Sequence, residues 1–293
     1  MPSQHLGLSC ALSTPFTPDA RVDTTRLVAH ATWCLTQGCD GVTLFGTTGE
    51  GAAVAVADRV RAVDALLQSG IAPSRLLSGV TACAQEDAVV QARVAVEARL
   101  HGLLLTPPFY FRDATDDGLF AWFAGVLAAI GRTNVYLYHI PSITGVPLSV
   151  ELIGRLKTAF PGVVVGVKDS SGEWRNTEKL LAAHSDLQIL VGDERQLARA
   201  VRQGGAGTIC GLANFVPALV RKAARDGIDD PRIAAIVEAV VRYPVMAAVK
   251  TLVAQQHGDA GWRVMAPPLA PLADGDAKSL VAELEKALTA KAA

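Results

Sequence analysis

A lysine closes the most apolar stretch of this chain. In VVVGVKDSSG (163–172), three valines, a glycine and another valine lead into Lys168, and a polar turn follows at once. An ammonium taken out of water without a partner loses its hydration. Apolar surroundings therefore disfavour the charged form of an amine, and a neutral amine attacks carbonyls to form Schiff bases. The alternative is a snorkelling lysine whose head reaches solvent. Tyr138, in NVYLYHIP (134–141), ends another apolar run. Its phenol could relay protons as a carbinolamine forms and dehydrates, or it could simply be a buried tyrosine with a satisfied hydroxyl. GTTGE (46–50) joins an apolar run to an amphipathic one. Glycines let backbone N–H groups approach a ligand, and a strand-to-helix turn aims those donors at an anion. The stretch lacks GxxxxGK[ST], so it reads as a carboxylate site rather than a nucleotide site, with a tight turn and helix cap as the alternative. Thr47 and Thr48 add hydroxyls that could join a proton relay, and Glu50 is expected to brace the loop. Asp193 and Glu194, in VGDE, are candidate acceptors for substrate hydroxyls. His139 alternates with Tyr138 and should point the other way. TPPFYF (106–111) reads as an aromatic lid or a subunit contact. No His/Asp/Glu cluster has metal-ligand spacing and there is no GxGxxG, so no cofactor is expected beyond a covalent lysine imine.

Such residues need elements to converge them. Eight short runs rich in β-branched residues cover 8–16, 41–47, 75–82, 102–108, 134–141, 163–170, 187–193 and 205–211. Between them lie helical patterns such as 24–38, 56–70 and 195–205, several ending in glycine. This alternation predicts βαβ units and a parallel sheet. Eight repeats fit an α/β fold of the (β/α)8 TIM-barrel type, whose active sites sit at the C-terminal strand ends. Lys168, Tyr138 and GTTGE all fall there, which weakens the snorkelling reading. Residues 1–230 are expected to form the barrel and 231–293 a C-terminal extension of helices packed on it.

Bulk properties narrow the partners. There are 27 Lys and Arg against 28 Asp and Glu, a net charge of −1, with no block of like charge. That leaves no footprint for nucleic acid or an anionic membrane. The 50% hydrophobic content reflects alanine and valine, not an apolar run long enough to span a bilayer. MPSQHLGLSC lacks the pattern of a secretory leader. Five irregularly spaced cysteines fit reduced thiols in a cytoplasmic protein.

Taken together, STPF (13–16), GTTGE, PPFY, YHIP (138–141), VGVKDSSG (165–172), VGDE (191–194) and GGAGTICGLAN (204–214) resemble the pyruvate-dependent class I aldolases of the dihydrodipicolinate synthase and N-acetylneuraminate lyase superfamily. The resemblance spans the whole chain. It implies that Lys168 is the Schiff-base lysine and Tyr138 the proton shuttle. It implies that Thr47 and Thr48 hold the carboxylate of a 2-oxo acid, and that Thr48 and Tyr110 complete a tyrosine–threonine–tyrosine relay. Tyr110 would reach a neighbouring subunit's site, so a homodimer or homotetramer is implied. The Ile209 carbonyl would line the pocket. One departure bears on substrate. Synthases of this superfamily place an arginine two residues after the proline of the Tyr-x-x-Pro strand end, where it receives a second carboxylate; here Ile143 stands there. Polar positions of a lysine-feedback pocket appear as Val56, Cys83 and Phe109. The expected function is a Schiff-base lyase, aldolase or dehydratase, acting on pyruvate or 2-keto-3-deoxy sugar acid type 2-oxo acids, with Ser170, Asp193 and Glu194 binding hydroxyls. The alternatives are 4-hydroxy-tetrahydrodipicolinate synthase, condensing pyruvate with aspartate semialdehyde, and a catalytically silent barrel with a binding role.

Overall fold

A computed structural model describes residues 6–289. Residues 1–5, part of the stretch inspected for a leader, and residues 290–293, the end of the last helical pattern, lie outside the described residues. Eight strands form a closed barrel: β1 (Gly7–Ala11), β2 (Gly41–Leu44), β3 (Leu76–Val80), β4 (Gly102–Leu105), β5 (Val135–His139), β6 (Val164–Asp169), β7 (Gln188–Val191) and β8 (Gly207–Cys210). Every neighbouring pair is parallel, and β8 closes on β1. The predicted TIM barrel is the observed fold, and each strand lies within a predicted run except β1, which begins one residue before its run. The runs overreach at their C-terminal ends, where proline and glycine turns take over.

Alternation along the strands divides the core in two. Leu8, Cys10, Val42, Leu44, Val135, Leu137 and Val167 face outward and pack under the helices. Ala11, Leu77, Leu104, Tyr136, Tyr138, Leu190 and Ile209 fill the barrel interior. Gly166 of β6 belongs to this inner set because a Cβ there would lie 2.6 Å from the Tyr136 ring and 2.5 Å from the Gln188 carbonyl. The glycine among the valines of VVVGVK thus makes room for an inward tyrosine, one layer below Lys168.

The helices begin where side chains satisfy free N–H groups. Asp23 accepts from Arg26 N–H at Thr24–Thr36, Thr115 from Gly118 at Asp116–Ile130, and Ser149 from Leu152 at Val150–Ala159. The helix predicted at 195–205 is instead a 3-10 turn, Glu194–Gln196, followed by the short helix Leu197–Arg202. Asp193 caps the turn by accepting from Arg195 N–H.

Three further helices follow, Pro231–Val241, Val245–His257 and Asp274–Thr289. The first packs on the last and on the Glu194 turn, and the second on the Leu212–Asn214 turn after β8. Among the described residues, no helix is long and apolar enough to cross a membrane.

Candidate active site

Tyr138 and Lys168 are register partners in β5 and β6, so both point into the barrel at the same height. Tyr138 is 2% exposed and Lys168 4%. The Lys168 Nζ donates to the Tyr138 hydroxyl at 3.2 Å. The Thr47 Oγ1 lies 3.3 Å from the same hydroxyl. Burial alone would push the phenol upward, but the Lys168 charge and the Thr47 hydrogen bond outweigh it and hold Tyr138 below the usual tyrosine range. A phenol shifted this way exchanges protons more readily near neutrality. Asp169, on the outward side of the same strand, accepts from Ser171 N–H, Asn176 Nδ2 and Thr177 Oγ1, which fixes the polar turn after Lys168. His139 faces away from the interior and accepts from Leu148 N–H at 2.9 Å.

GTTGE follows one non-glycine residue in the left-handed region, Phe45 (φ +55), and ends on another, Glu50 (φ +53). The turn closes by Glu50 N–H donating to Thr47 O and Gly51 N–H donating to Gly46 O. This leaves the Thr47 and Thr48 N–H groups without a backbone acceptor among the described residues. Free donors beside a lysine and a tyrosine suit an anion. The loop is braced from three directions. Thr14 Oγ1, at the end of β1, donates to Gly49 O at 2.7 Å. Arg59, fully buried, donates to the carbonyls of Gly51 (2.6 Å), Gly79 (2.7 Å) and Val54 (3.1 Å). Burial lowers its guanidinium to about 10. Glu50, as expected, braces rather than faces the cleft: Lys250 Nζ lies 2.5 Å from its Oε1, and Ala266 N–H donates to its Oε2 at 3.0 Å. Both side chains of that ion pair are fully buried. Burial pulls the Lys250 ammonium below the usual lysine range, and Glu50 offsets part of that.

These groups open on a cleft of about 290 Å³ at the C-terminal end of the strands. Thr47, Thr48, Tyr138, Ile143, Lys168, Ser170, Asp193, Glu194 and Ile209 all line it. Their contacts within the chain differ. Thr47, not Thr48, touches Tyr138; the Thr48 hydroxyl lies on the Gly211 side of the loop. Strand alternation could not decide between the two, because the positive φ of Phe45 interrupts β2 just before them. Asp193 is already engaged: Arg195 Nε donates to its Oδ1 at 3.0 Å and an Arg195 terminal nitrogen to its Oδ2 at 2.7 Å. Glu194 is buried, and its carboxylate accepts from Leu212 N–H at 3.0 Å. Burial raises its pKa above the ordinary glutamate range. Asp193 and one Glu194 oxygen are thus engaged within the protein, and Ser170 keeps a hydroxyl on the cleft. Tyr110 is 76% exposed, turned outward with Phe111 and outside the cleft of its own chain.

Sequence reasoning missed several residues. Arg59 and Lys250 hide in amphipathic helical patterns, and Arg195 lies in the predicted helix at 195–205. Val237, Val240, Val241, Val245, Met246 and Val249 form one wall of the cleft, yet they come from helices expected only to cover the barrel. The one available signal was apolar spacing on two consecutive helices, which reads equally well as core. Among the described residues, no group of three or more His, Cys, Asp or Glu could hold a metal ion.

A family model described as "Dihydrodipicolinate synthetase family" matches residues 4–287. The chain is 31% identical to the 4-hydroxy-tetrahydrodipicolinate synthase of Agrobacterium fabrum over 210 residues, 71% of this chain and 70% of that protein. It superposes on the crystal structure of dihydrodipicolinate synthase from Agrobacterium tumefaciens with a TM-score of 0.93 and 49% identity, covering 96% of this chain and 99% of the other. A variant of the 2-keto-3-deoxygluconate aldolase of Sulfolobus solfataricus shares the fold, with a TM-score of 0.84 at 20% identity over 96% of this chain and 95% of the other.

Proposed function

Because the chain belongs to the dihydrodipicolinate synthetase family, a family of lyases, we propose that it is a cofactor-free class I lyase that works through an imine on Lys168. The observation that carries this is the contact of Lys168 Nζ with the Tyr138 hydroxyl, 3.2 Å apart at matching register inside the barrel. The amine adds to the ketone of a 2-oxo acid, giving a carbinolamine. Tyr138 delivers a proton to the departing hydroxyl, water leaves, and an iminium remains. The iminium is an electron sink. The C3–C4 bond of the bound acid breaks with its electron pair moving toward nitrogen, while the C4 hydroxyl proton passes to a base and an aldehyde departs. The resulting enamine is protonated and hydrolysed to pyruvate. Run backwards, the same steps add pyruvate to an aldehyde. Loss of the C4 hydroxyl as water instead, after a base takes a C3 proton and gives the enamine, would make the enzyme a dehydratase. The N–H groups of Thr47 and Thr48 and the Thr48 hydroxyl hold the carboxylate, while the Thr47 hydroxyl faces Tyr138.

The aldehyde half is uncharged in this reading. Ile143 stands on the cleft where the synthases of the superfamily carry an arginine, and the arginine that does line it, Arg195, is neutralised by Asp193. A carboxylate there lacks a charge-assisted partner worth about 1.5–3 kcal/mol. Keto-deoxy sugar acids and other 2-oxo acids with neutral tails therefore fit better than aspartate semialdehyde. The synthase reading is supported by the 49% identity to a structure bearing that name and the 31% identity to the curated synthase of Agrobacterium fabrum.

Barrel and C-terminal helices act as one unit in this proposal, since both line the cleft. A second copy would supply Tyr110. Phe109, Tyr110 and Phe111 are exposed, Tyr110 and Phe111 meeting edge to face at 5.3 Å. An adjoining apolar cavity of about 370 Å³ runs beside Thr47, lined by Ala52, Ala53, Thr81 and Phe109. A tyrosine from another chain entering it would reach Thr47 and complete the relay in a homodimer or homotetramer. Five free cysteines, four of them buried, fit a reducing, cytoplasmic setting.

The test is borohydride reduction in the presence of pyruvate, followed by peptide mass mapping. A stable adduct on Lys168 is expected, and its absence sinks the proposal. With the adduct in hand, efficient turnover of aspartate semialdehyde would favour the synthase.

A further inference from the structure

The cleft has two unlike walls. The polar wall carries Ser170, Ser171, Asp193 and Arg195, but Asp193 and Arg195 satisfy each other. The opposite wall is formed by Val237, Val240 and Val241 on one helix and Val245, Met246 and Val249 on the next. Spacings of three and four put each set on one helical face. Ile143 closes the mouth between the walls. A helix face built this way normally packs into a core. Here Val237, Val240 and Val249 do pack into the core, while Val241 is 52% exposed, Val245 38% and Ile143 58%, so the outer part of the face is left open on the cleft. Scattered apolar side chains on a surface need no explanation, but a contiguous set lining a cleft marks a ligand groove.

We propose that this valine and methionine wall is the subsite for the aldehyde half of the substrate, and that it selects an alkyl or aryl aldehyde over a polyhydroxylated or carboxylated one. The proposal rests on the lyase reading and narrows it. A sugar-like tail would press hydroxyls against valines that return no hydrogen bond, losing their hydration. On the other wall it would find Asp193 ion-paired to Arg195 and one Glu194 oxygen held by Leu212 N–H. An alkyl tail gains from burial against the wall and leaves the serine hydroxyls to solvent. The reaction balances without any further reagent. The enamine of pyruvate on Lys168 forms one C–C bond to the aldehyde carbon, the aldehyde oxygen takes a proton, and water hydrolyses the iminium.

The experiment compares pyruvate addition to 2-methylbutanal, glyceraldehyde and aspartate semialdehyde. The first is the isostere of glyceraldehyde with both hydroxyls replaced by methyl groups. We expect kcat/KM for 2-methylbutanal to exceed that for glyceraldehyde by about a hundredfold, the discrimination typical of an apolar pocket facing an added hydroxyl. Along unbranched aldehydes, each added methylene should improve KM by about fourfold, equivalent to about 0.8 kcal/mol, until the wall is covered. Val241→Asp and Val245→Ser, both at exposed positions, should raise KM for the alkyl aldehydes and shrink the preference. Equal or better use of glyceraldehyde or aspartate semialdehyde, turnover of none of the three, or a preference unmoved by both variants overturns the subsite while the borohydride adduct still stands. Absence of that adduct overturns the lyase reading and the subsite with it.

Discussion

At the scale of single residues, the proton relay turns on which threonine faces Tyr138. The resemblance pointed to Thr48, whereas the geometry puts Thr47 Oγ1 at 3.3 Å from the phenol. Valine matches threonine in shape but lacks the hydroxyl, so the two positions can be separated kinetically. Thr47→Val should lower kcat by about a hundredfold, the lower end of what a positioned acid–base group contributes, with little change in KM. Thr48→Val should leave kcat nearly intact and raise KM for the 2-oxo acid by about tenfold, as for loss of one hydrogen bond to a charged group. Steady-state kinetics on both variants decides the matter, and a collapse of kcat in Thr48→Val alone would restore the relay to Thr48. Lys168 itself was readable from its valines, and Tyr138 from its strand end.

Among the elements, the GTTGE loop is the one held under constraint. Non-glycine residues at positive φ stand just before it, at Phe45, and at its end, at Glu50, and Gly51 approaches the Phe45 carbonyl so closely that a Cβ would collide with it. Such a backbone persists only where its surroundings over-determine it. Arg59 and Thr14 do so from the barrel, and the Glu50–Lys250 pair does so from the Val245–His257 helix. Removing one partner of a fully buried ion pair leaves an uncompensated charge, at a cost of about 3–5 kcal/mol. Lys250→Met should therefore lower unfolding stability by about that amount in urea titration. It should also raise KM for pyruvate, because the loop that presents the Thr47 and Thr48 N–H groups loses its outer brace. Unchanged stability and KM would show that Glu50 is held adequately by Ala266 N–H alone. The sequence announced the loop, through its glycines and threonines. It did not announce the braces, because a lysine or arginine in an amphipathic pattern reads as a solvated face until the packing is known.

For the whole molecule, the exposed Phe109–Phe111 segment and the neighbouring apolar cavity argue for association between copies. Sedimentation should show dimers or larger assemblies of the intact protein. Replacing Tyr110 and Phe111 together by serine should shift them toward monomer and reduce activity in parallel. Tyr110→Phe should keep the assembly and lose only the hydroxyl's share of kcat. A wild-type protein that is monomeric and fully active would remove Tyr110 from the relay.

The sequence by itself determined the barrel, the strand that carries Lys168 and the loop that offers N–H donors. Each of these is written in local periodicity, in turn chemistry or in residue type at a strand end. Only the tertiary structure decided that Thr47 rather than Thr48 meets the phenol, that Asp193 pairs with Arg195 and Glu194 accepts from Leu212, and that the helices Pro231–Val241 and Val245–His257 leave Val241 and Val245 open on the cleft. The physical reason is common to all of them. Hydrogen-bond partners and the choice between core and cleft depend on which distant segments arrive opposite a residue, and no local pattern in the chain records that.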